Sequence, residues 1–259
     1  LDNIRFYPGE ESNDNLFAKK LASLGDIYIN DAFSVSHRAH ASVVGITKYL
    51  PSLAGLALAQ EVKNLSAVFT SPLRPLTIII GGKKVSDKIG VIKHLVPKVD
   101  HILIGGGCAT TFEAAQGKDM QRSFVEREMF ATCLELLKHD QLNKIQLPSD
   151  FIEGDKAYLD IGPKTIANFS DIIQQSATII WAGPMGKYEN PRFNQGNEAI
   201  LKSVIDSKAK SIIGGGDTLA ALQSFSELEK VSFISLGGGA MLEFLEKETL
   251  PGIETLQIN

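Results

Sequence analysis

Two lysines four residues apart follow a glycine pair in Gly81-Gly82-Lys83-Lys84-Val85-Ser86-Asp87-Lys88. The apolar run 76–80 leads into them, so the segment reads as a strand end turning into a helix start. Lys84 and Lys88 share a face if that helix begins by Lys84. Their ammonium groups repel each other and the positive helix end unless an anion sits there, and phosphate is the fitting anion. A solvated lysine pair is the alternative. A second strand end, Gly214-Gly215-Gly216-Asp217-Thr218, offers a carboxylate for Mg2+ and a hydroxyl for phosphate oxygens. Asp217 as a plain helix N-cap is the other reading.

Other polar groups stand in loops. Glu189, in Trp181-Ala182-Gly183-Pro184-Met185-Gly186-Lys187-Tyr188-Glu189, could accept from ribose hydroxyls or be merely solvated. His37, Arg38 and His40 follow Asn30-Asp31-Ala32-Phe33, and Arg5 lies in Asn3-Ile4-Arg5-Phe6. Guanidinium forks suit carboxylate and phosphate, though unrelated surface basics read the same way.

Four apolar runs end in glycine: 76–82, 101–107, 211–216 and 233–239. Strand ends of this kind, on one edge of an open α/β sheet, suggest a shared crevice lined by bare N–H groups. The dinucleotide fingerprint fails, because Thr110 or Leu219 stands where its third glycine belongs. The P-loop pattern fails too, since Tyr188 follows Gly186-Lys187. Strands are expected at 76–80, 101–104, 144–147, 157–160, 177–182, 210–213 and 231–236. Helices are expected at 86–96, 108–116, 123–138, 163–174, 195–206, 217–224 and 240–246. Uniformly apolar strands alternating with helices indicate a parallel sheet covered on both faces. Before Pro72 and Pro75 the chain reads as a helix at 16–24, a strand at 26–30, a polar loop at 31–42 and a helix at 54–69.

Bulk properties fit a soluble α/β protein. The 259 residues are 44% hydrophobic and 22% charged, with a formal net charge of −4 that gives no reason to expect nucleic acid or an anionic membrane as partner. Cys108 and Cys133 fit neither a metal motif nor a disulfide framework, which makes a reducing cytoplasm the expectation. No stretch is long and apolar enough for a membrane span.

The segments GGKKVSDKIGVIKHL, HILIGGGCATTF, LDIGPKTI, WAGPMGKYE, IIGGGDTLAA and SLGGGAMLEFLE, in this order, resemble the phosphoglycerate kinase family. So do NIRF, INDAF, HRAHAS and LPGIETL. The resemblance implies a parallel-sheet, Rossmann-like three-layer nucleotide domain and a partial second α/β domain, joined by a hinge helix. It places the partial substrate domain at 1–53, the interdomain helix at 54–72, the nucleotide domain at 73–246 and a tail at 247–259. The implied reaction is reversible phosphoryl transfer between 1,3-bisphosphoglycerate with ADP and 3-phosphoglycerate with ATP. It is catalysed by a cytoplasmic monomer using Mg2+.

By resemblance, Lys84 and Lys88 neutralise the moving phosphoryl group and the nucleotide phosphates, and Gly237, Gly238 and Gly239 face that group. Gly81, Gly82, Gly105, Gly106, Gly215, Gly216 and Thr218 line the nucleotide site. Asp217 meets Mg2+, Glu189 the ribose, and Arg5 and Arg38 the phosphoglycerate.

The chain departs from the family pattern in several places. An early Asp-x-Asn strand motif and a third arginine loop have no counterpart, and 148–155 is short. Lys83 stands for alanine, Ala182 for asparagine, Tyr158 near a usual glycine, Ser34 for glycine and Leu236 for a hydroxyl residue. The expectation for these 259 residues alone is nucleotide binding with little or no turnover. A non-catalytic nucleotide-binding module, or another α/β transferase or dehydrogenase, are the competing readings.

Overall fold

The computed structural model describes residues 3–256. They fall into two compact units. One holds the described residues up to Thr70 together with those from Leu236 onward, and the other is Ser71–Ser235.

In the first unit, α1 (Asn15–Ala22) is capped by Asp14, whose side chain accepts from the Phe17 amide. Strands β1 (Tyr28–Asn30) and β2 (Ser52–Ala54) pair in parallel, and α2 (Leu56–Thr70) follows. Asp31 accepts from the amides of Ala57 and Leu58, satisfying two donors in the first turn of α2.

The second unit contains a six-stranded, all-parallel sheet. Its strands are β3 (Leu76–Ile80), β4 (His101–Ile104), β5 (Ile145–Gln146), β8 (Thr178–Ala182), β9 (Lys210–Gly214) and β10 (Phe233–Ser235), while β6 (Phe151–Gly154) and β7 (Ala157–Ile161) form a separate antiparallel hairpin. The spatial order is β10-β9-β8-β3-β4-β5. Strands β3 and β8 are buried at every residue, as central parallel strands must be.

From β3 the chain moves outward through α3 (Ile89–Leu95), α4 (Gly106–Ala115) and α5 (Phe130–His139) to β4 and β5. From β8 it moves the opposite way through α7 (Gln195–Asp206) and α8 (Gly216–Leu222) to β9 and β10. Right-handed crossovers in opposite directions put these two helix sets on opposite faces. One face is filled by Ile79, Leu103, Ile179, Trp181 and Ile213 against Phe169 and Ile173 of α6 (Pro163–Gln175), Ile200, Leu201 and Val204 of α7, and Leu222 of α8. The strand order reverses between β3 and β8, so the loops after these strands diverge and open a crevice there.

Three local expectations change. The short segment 148–155 contributes a strand, β6, and β7 pairs with it rather than joining the main sheet. Asp155 and Lys156, both at positive φ, make the two-residue turn between them. The helix expected at 86–96 begins only at Ile89, because the amides of Val85 and Ser86 are held by a carboxylate from elsewhere. The helix expected at 123–138 begins at Phe130, preceded by a 3₁₀ turn.

The chain then returns to the first unit as α9 (Gly239–Lys247) and α10 (Pro251–Glu254). Phe244 of α9 lies 6.0 Å from Phe33 and 6.5 Å from Phe69, ring centre to ring centre. Asn30 Nδ2 donates to Gly252 O, and Gly252 N donates to Ser36 O. The stretch 236–246, expected with the nucleotide domain, therefore packs with the amino-terminal residues, because its aromatic side chain completes their core.

Candidate active site

The loops leaving β3 and β8 are laced together where they diverge. Gly81 N donates to Ala182 O, and Gly82 N donates to Pro184 O at 2.7 Å. The loop after β4 joins them: Gly105 N donates to Ile80 O, and Gly106 N to Met185 O. These four glycine amides are thus committed to backbone carbonyls, unlike the bare donors expected from the sequence. What the glycines supply is close approach. Gly82 adopts φ 89°, and a Cβ there would lie 3.3 Å from Lys88 Nζ. The Lys88 ammonium therefore lies over bare backbone at the end of β3.

Lys88 occupies the N-cap of α3, and Lys84 is exposed on the loop before it. Cys108, at the start of α4, donates weakly from Sγ to Gly81 O and Lys84 O. Burial pushes its thiol up to about 12, although the nearby Lys88 charge opposes this. It is a packed side chain and no nucleophile.

A cavity of about 370 Å³ lies beside these loops, lined by Gly82, Lys83, Gly106, Gly107, Glu189 and Asp217 among others. The α8 N-cap is Gly215 at φ 97°, with no side-chain cap bond, and Asp217 is an exposed residue of the first turn. The N-cap reading of Asp217 is thereby displaced. Glu189 is exposed on the same cavity. Burial, with the charges of Asp217 and Glu189, raises the Tyr188 phenol above its ordinary value, so all three cluster there. Thr218 is fully buried, and its hydroxyl accepts from Gly183 N at 2.7 Å.

Arg5, Arg38 and Gly237–Gly239 belong to the first unit. Both arginines are exposed. Gly238 has φ 55°, and a Cβ at Gly238 or Gly239 would meet nothing within 4 Å, so this backbone is open. Among the described residues, no group of three or more His, Cys, Asp or Glu could hold a metal unaided, and no helix is long and apolar enough to cross a membrane.

Sequence reasoning missed Asp160, Phe151 and Phe124 around the cavity. Asp160 is 2% exposed beneath it and accepts from the amides of Ile161 and Gly196, both at 2.9 Å. Burial pushes its carboxyl up to about 6 against those bonds. The available signal was an acidic residue closing an otherwise apolar strand. Phe151 and Tyr158 stack at 5.1 Å in the cavity wall, and Lys83 Nζ lies 4.9 Å above the Phe124 ring. These contacts depend on the pairing of β6 with β7 and on the loop before α5, neither of which the periodicity revealed. Tyr158 and Lys83 are two of the positions that depart from the family pattern.

The parallel sheet reverses its order at a crevice bordered by cationic and acidic groups. Similarity to known proteins then fixes the family. The phosphoglycerate kinase family model matches residues 1–248. A phosphoglycerate kinase of Herpetosiphon aurantiacus is 45% identical, covering 99% of this chain and 70% of its own length; one of Dictyoglomus turgidum is similar to the same degree. The Herpetosiphon alignment runs over 277 residues, longer than the chain itself, so the relative carries internal residues with no counterpart here. The solved phosphoglycerate kinase of Coxiella burnetii superposes with a TM-score of 0.90 at 37% identity, covering 98% of this chain and 71% of that one. That of Pyrococcus horikoshii gives 0.88 at 28%. The match extends over both units and through every motif that builds the crevice, and the chain belongs to the phosphoglycerate kinase family, phosphotransferases of glycolysis.

Proposed function

We propose that the second unit binds Mg-ATP or Mg-ADP in the crevice between the β3 and β8 loops, and that the first unit binds 3-phosphoglycerate or 1,3-bisphosphoglycerate. The observation that carries the first part is the placement of Lys88 Nζ over Gly82 beside a cavity bordered by Asp217 and Glu189. Glu189 accepts from ribose hydroxyls. Lys88 and Lys84 take the phosphate oxygens, with the glycine backbone at 81–82, 105–106 and 215–216 allowing close contact. Thr218, whose oxygen is occupied by Gly183 N, still has a hydroxyl proton to give. Arg5 and Arg38 hold the phosphate and carboxylate of phosphoglycerate, and Gly237, Gly238 and Gly239 present open backbone to the phosphoryl group.

Asp217 is the residue that would hold Mg2+. A single exposed carboxylate suits an ion that takes most of its ligands from water and nucleotide phosphates. When bound, the ion supplies charge neutralisation at the nucleotide phosphates. The acceptor in the direction of ATP consumption is a carboxylate, already ionised at neutral pH, so no base is needed to remove a proton. An oxygen of that carboxylate forms a bond to the γ-phosphorus while the bond to the β–γ bridging oxygen breaks. The protein's task is to place the groups and spread positive charge over the transferring oxygens. One lysine about 4 Å from a phosphate oxygen contributes roughly 4 kcal/mol at an effective dielectric of about 20. The reading includes a monomeric state and a cytoplasmic location.

Calorimetric titration with Mg-ADP tests it, using the unaltered chain, Lys88→Ala and Asp217→Ala. Each substitution should weaken binding at least about tenfold, or about 1.4 kcal/mol. Unchanged affinity in both folded variants would refute the assignment.

A further inference from the structure

A buried carboxylate grips the loop that carries the lysines. Glu126 is 5% exposed, in the segment between α4 and α5. Its Oε2 accepts from the amides of Val85 and Ser86, the latter at 3.0 Å, and its Oε1 accepts from Ser86 Oγ at 2.6 Å. These two amides follow Lys84 directly and lie one turn before α3. Lys88 N and Ile89 N are already satisfied by Val85 O. The carboxylate is itself anchored: Glu126 N donates to Thr111 Oγ1 at 3.2 Å, and Thr110 Oγ1 donates to Phe124 O at 2.7 Å. Both threonines belong to α4, whose Cys108 N donates to Gly82 O. A closed ring of hydrogen bonds therefore runs from the β3 end through α4 and Glu126 back to Val85–Ser86.

Burial alone would push the Glu126 carboxyl up. The bonds from Ser86 and Val85, with the Lys84 charge nearby, outweigh it and hold the group below the usual carboxylate range. The clamp is thus ionised at neutral pH and opposite in sign to Lys84. Glu126 itself does not line the cavity, and its carboxylate oxygens bond to Val85 and Ser86 of the lysine-bearing loop.

We propose that Glu126 is a positioning residue for phosphoryl transfer: by holding the Val85–Ser86 backbone, it sets where the Lys84 ammonium meets the phosphates. This rests on the reading of Lys84 as a phosphate ligand. A cap that only stabilised the fold would act on binding independently of Lys84, whereas a positioning residue acts through it.

The test is a double-mutant cycle on Mg-ATP affinity, measured by calorimetry on the full chain, with thermal unfolding confirming that each variant is folded. Lys84→Ala and Glu126→Gln should each weaken Mg-ATP about tenfold. The double variant should be weaker than Lys84→Ala alone by less than about twofold. Ser86→Ala removes one of the three bonds and leaves the carboxylate in place. It should weaken Mg-ATP about threefold, again only when Lys84 is present, and it decides the matter if Glu126→Gln fails to fold. Wild-type affinity in folded Glu126→Gln, or losses that multiply in the double variant, would overturn the proposal while leaving Lys84 as a ligand. No loss in Lys84→Ala, or no Mg-ATP binding by the unaltered chain, would overturn the reading of Lys84 and the positioning role together.

Discussion

Thr218 Oγ1 accepts the amide proton of Gly183 at 2.7 Å, joining the first turn of α8, which follows β9, to the loop after β8 at a fully buried side chain. The two strands are neighbours in the sheet, and this bond holds their diverging ends in register beyond the last ladder pair, Ala182 with Gly214.

Thr218→Val keeps the shape but leaves a buried N–H unpaired, at about 1–3 kcal/mol. Thr218→Ser should restore most of the loss. Urea unfolding of the three proteins checks this, and Mg-ADP affinity should fall in the valine variant alone.

Asp160 makes stability depend on pH. Its folded-state pKa, about 6, lies above the ordinary carboxylate value of 3.8 because burial disfavours the charge. The folded state then binds more protons than the unfolded state between those values. This contribution is fully present below about pH 4 and is lost as pH rises through 6. A shift of this size corresponds to something on the order of 3 kcal/mol. Asp160→Asn should remove that slope between pH 4 and 7, read as a flatter plot of unfolding free energy against pH than in the unaltered chain. An unchanged slope would place the group's titration elsewhere.

Cys108 and Cys133 should resist thiol reagents. Both thiols are buried and pushed up, to about 12 and about 11, in each case first by desolvation. The thiolate is the reactive species, so at pH 8 native protein should take up less than about a tenth of the reagent equivalents that unfolded protein takes up. Mass spectrometry after iodoacetamide treatment, with and without denaturant, reads the difference. Rapid native labelling of Cys108 would mean that Lys88 governs its ionisation.

Phe244→Ala should weaken the first unit selectively. The ring packs between Phe33 and Phe69, and deletion of such a side chain costs about 3–5 kcal/mol. Hydrogen exchange should accelerate in α2 and α9 and stay unchanged in β3, β8 and β9. Uniform acceleration throughout would argue against two separate units.

Much of the second unit could be read directly. Leu76–Ile80 and Thr178–Ala182 are apolar throughout, and only a strand buried on both faces tolerates that. The glycines closing the apolar runs at 76–82, 101–107, 211–216 and 233–239 marked the ends of β3, β4, β9 and β10 in the same way. Lys84, Lys88 and Asp217 stood out as candidates because their residue types and their places after strands suit phosphate and Mg2+, whereas the ribose role of Glu189 is what the family resemblance implies. By contrast, β6 and its pairing with β7 were obscured, although a strand was expected at 157–160, since a short two-stranded hairpin is defined by pairing and has no long period of its own.

The sequence by itself determined which segments are strands and helices in the main sheet, and which motifs carry the chemistry of the family. Those properties are local: apolar pattern, glycine at strand ends, residue type. Tertiary structure alone decided that the strand order reverses between β3 and β8, that the amides of Gly81, Gly82, Gly105 and Gly106 are used within the protein, and that Phe244 returns to Phe33. It also brought Glu126 to Val85 and Ser86, forty residues away, and buried Asp160 under the cavity. Each of these is a contact between groups distant in the chain. Its energy depends on burial and hydrogen-bond geometry, which exist only once the chain has folded.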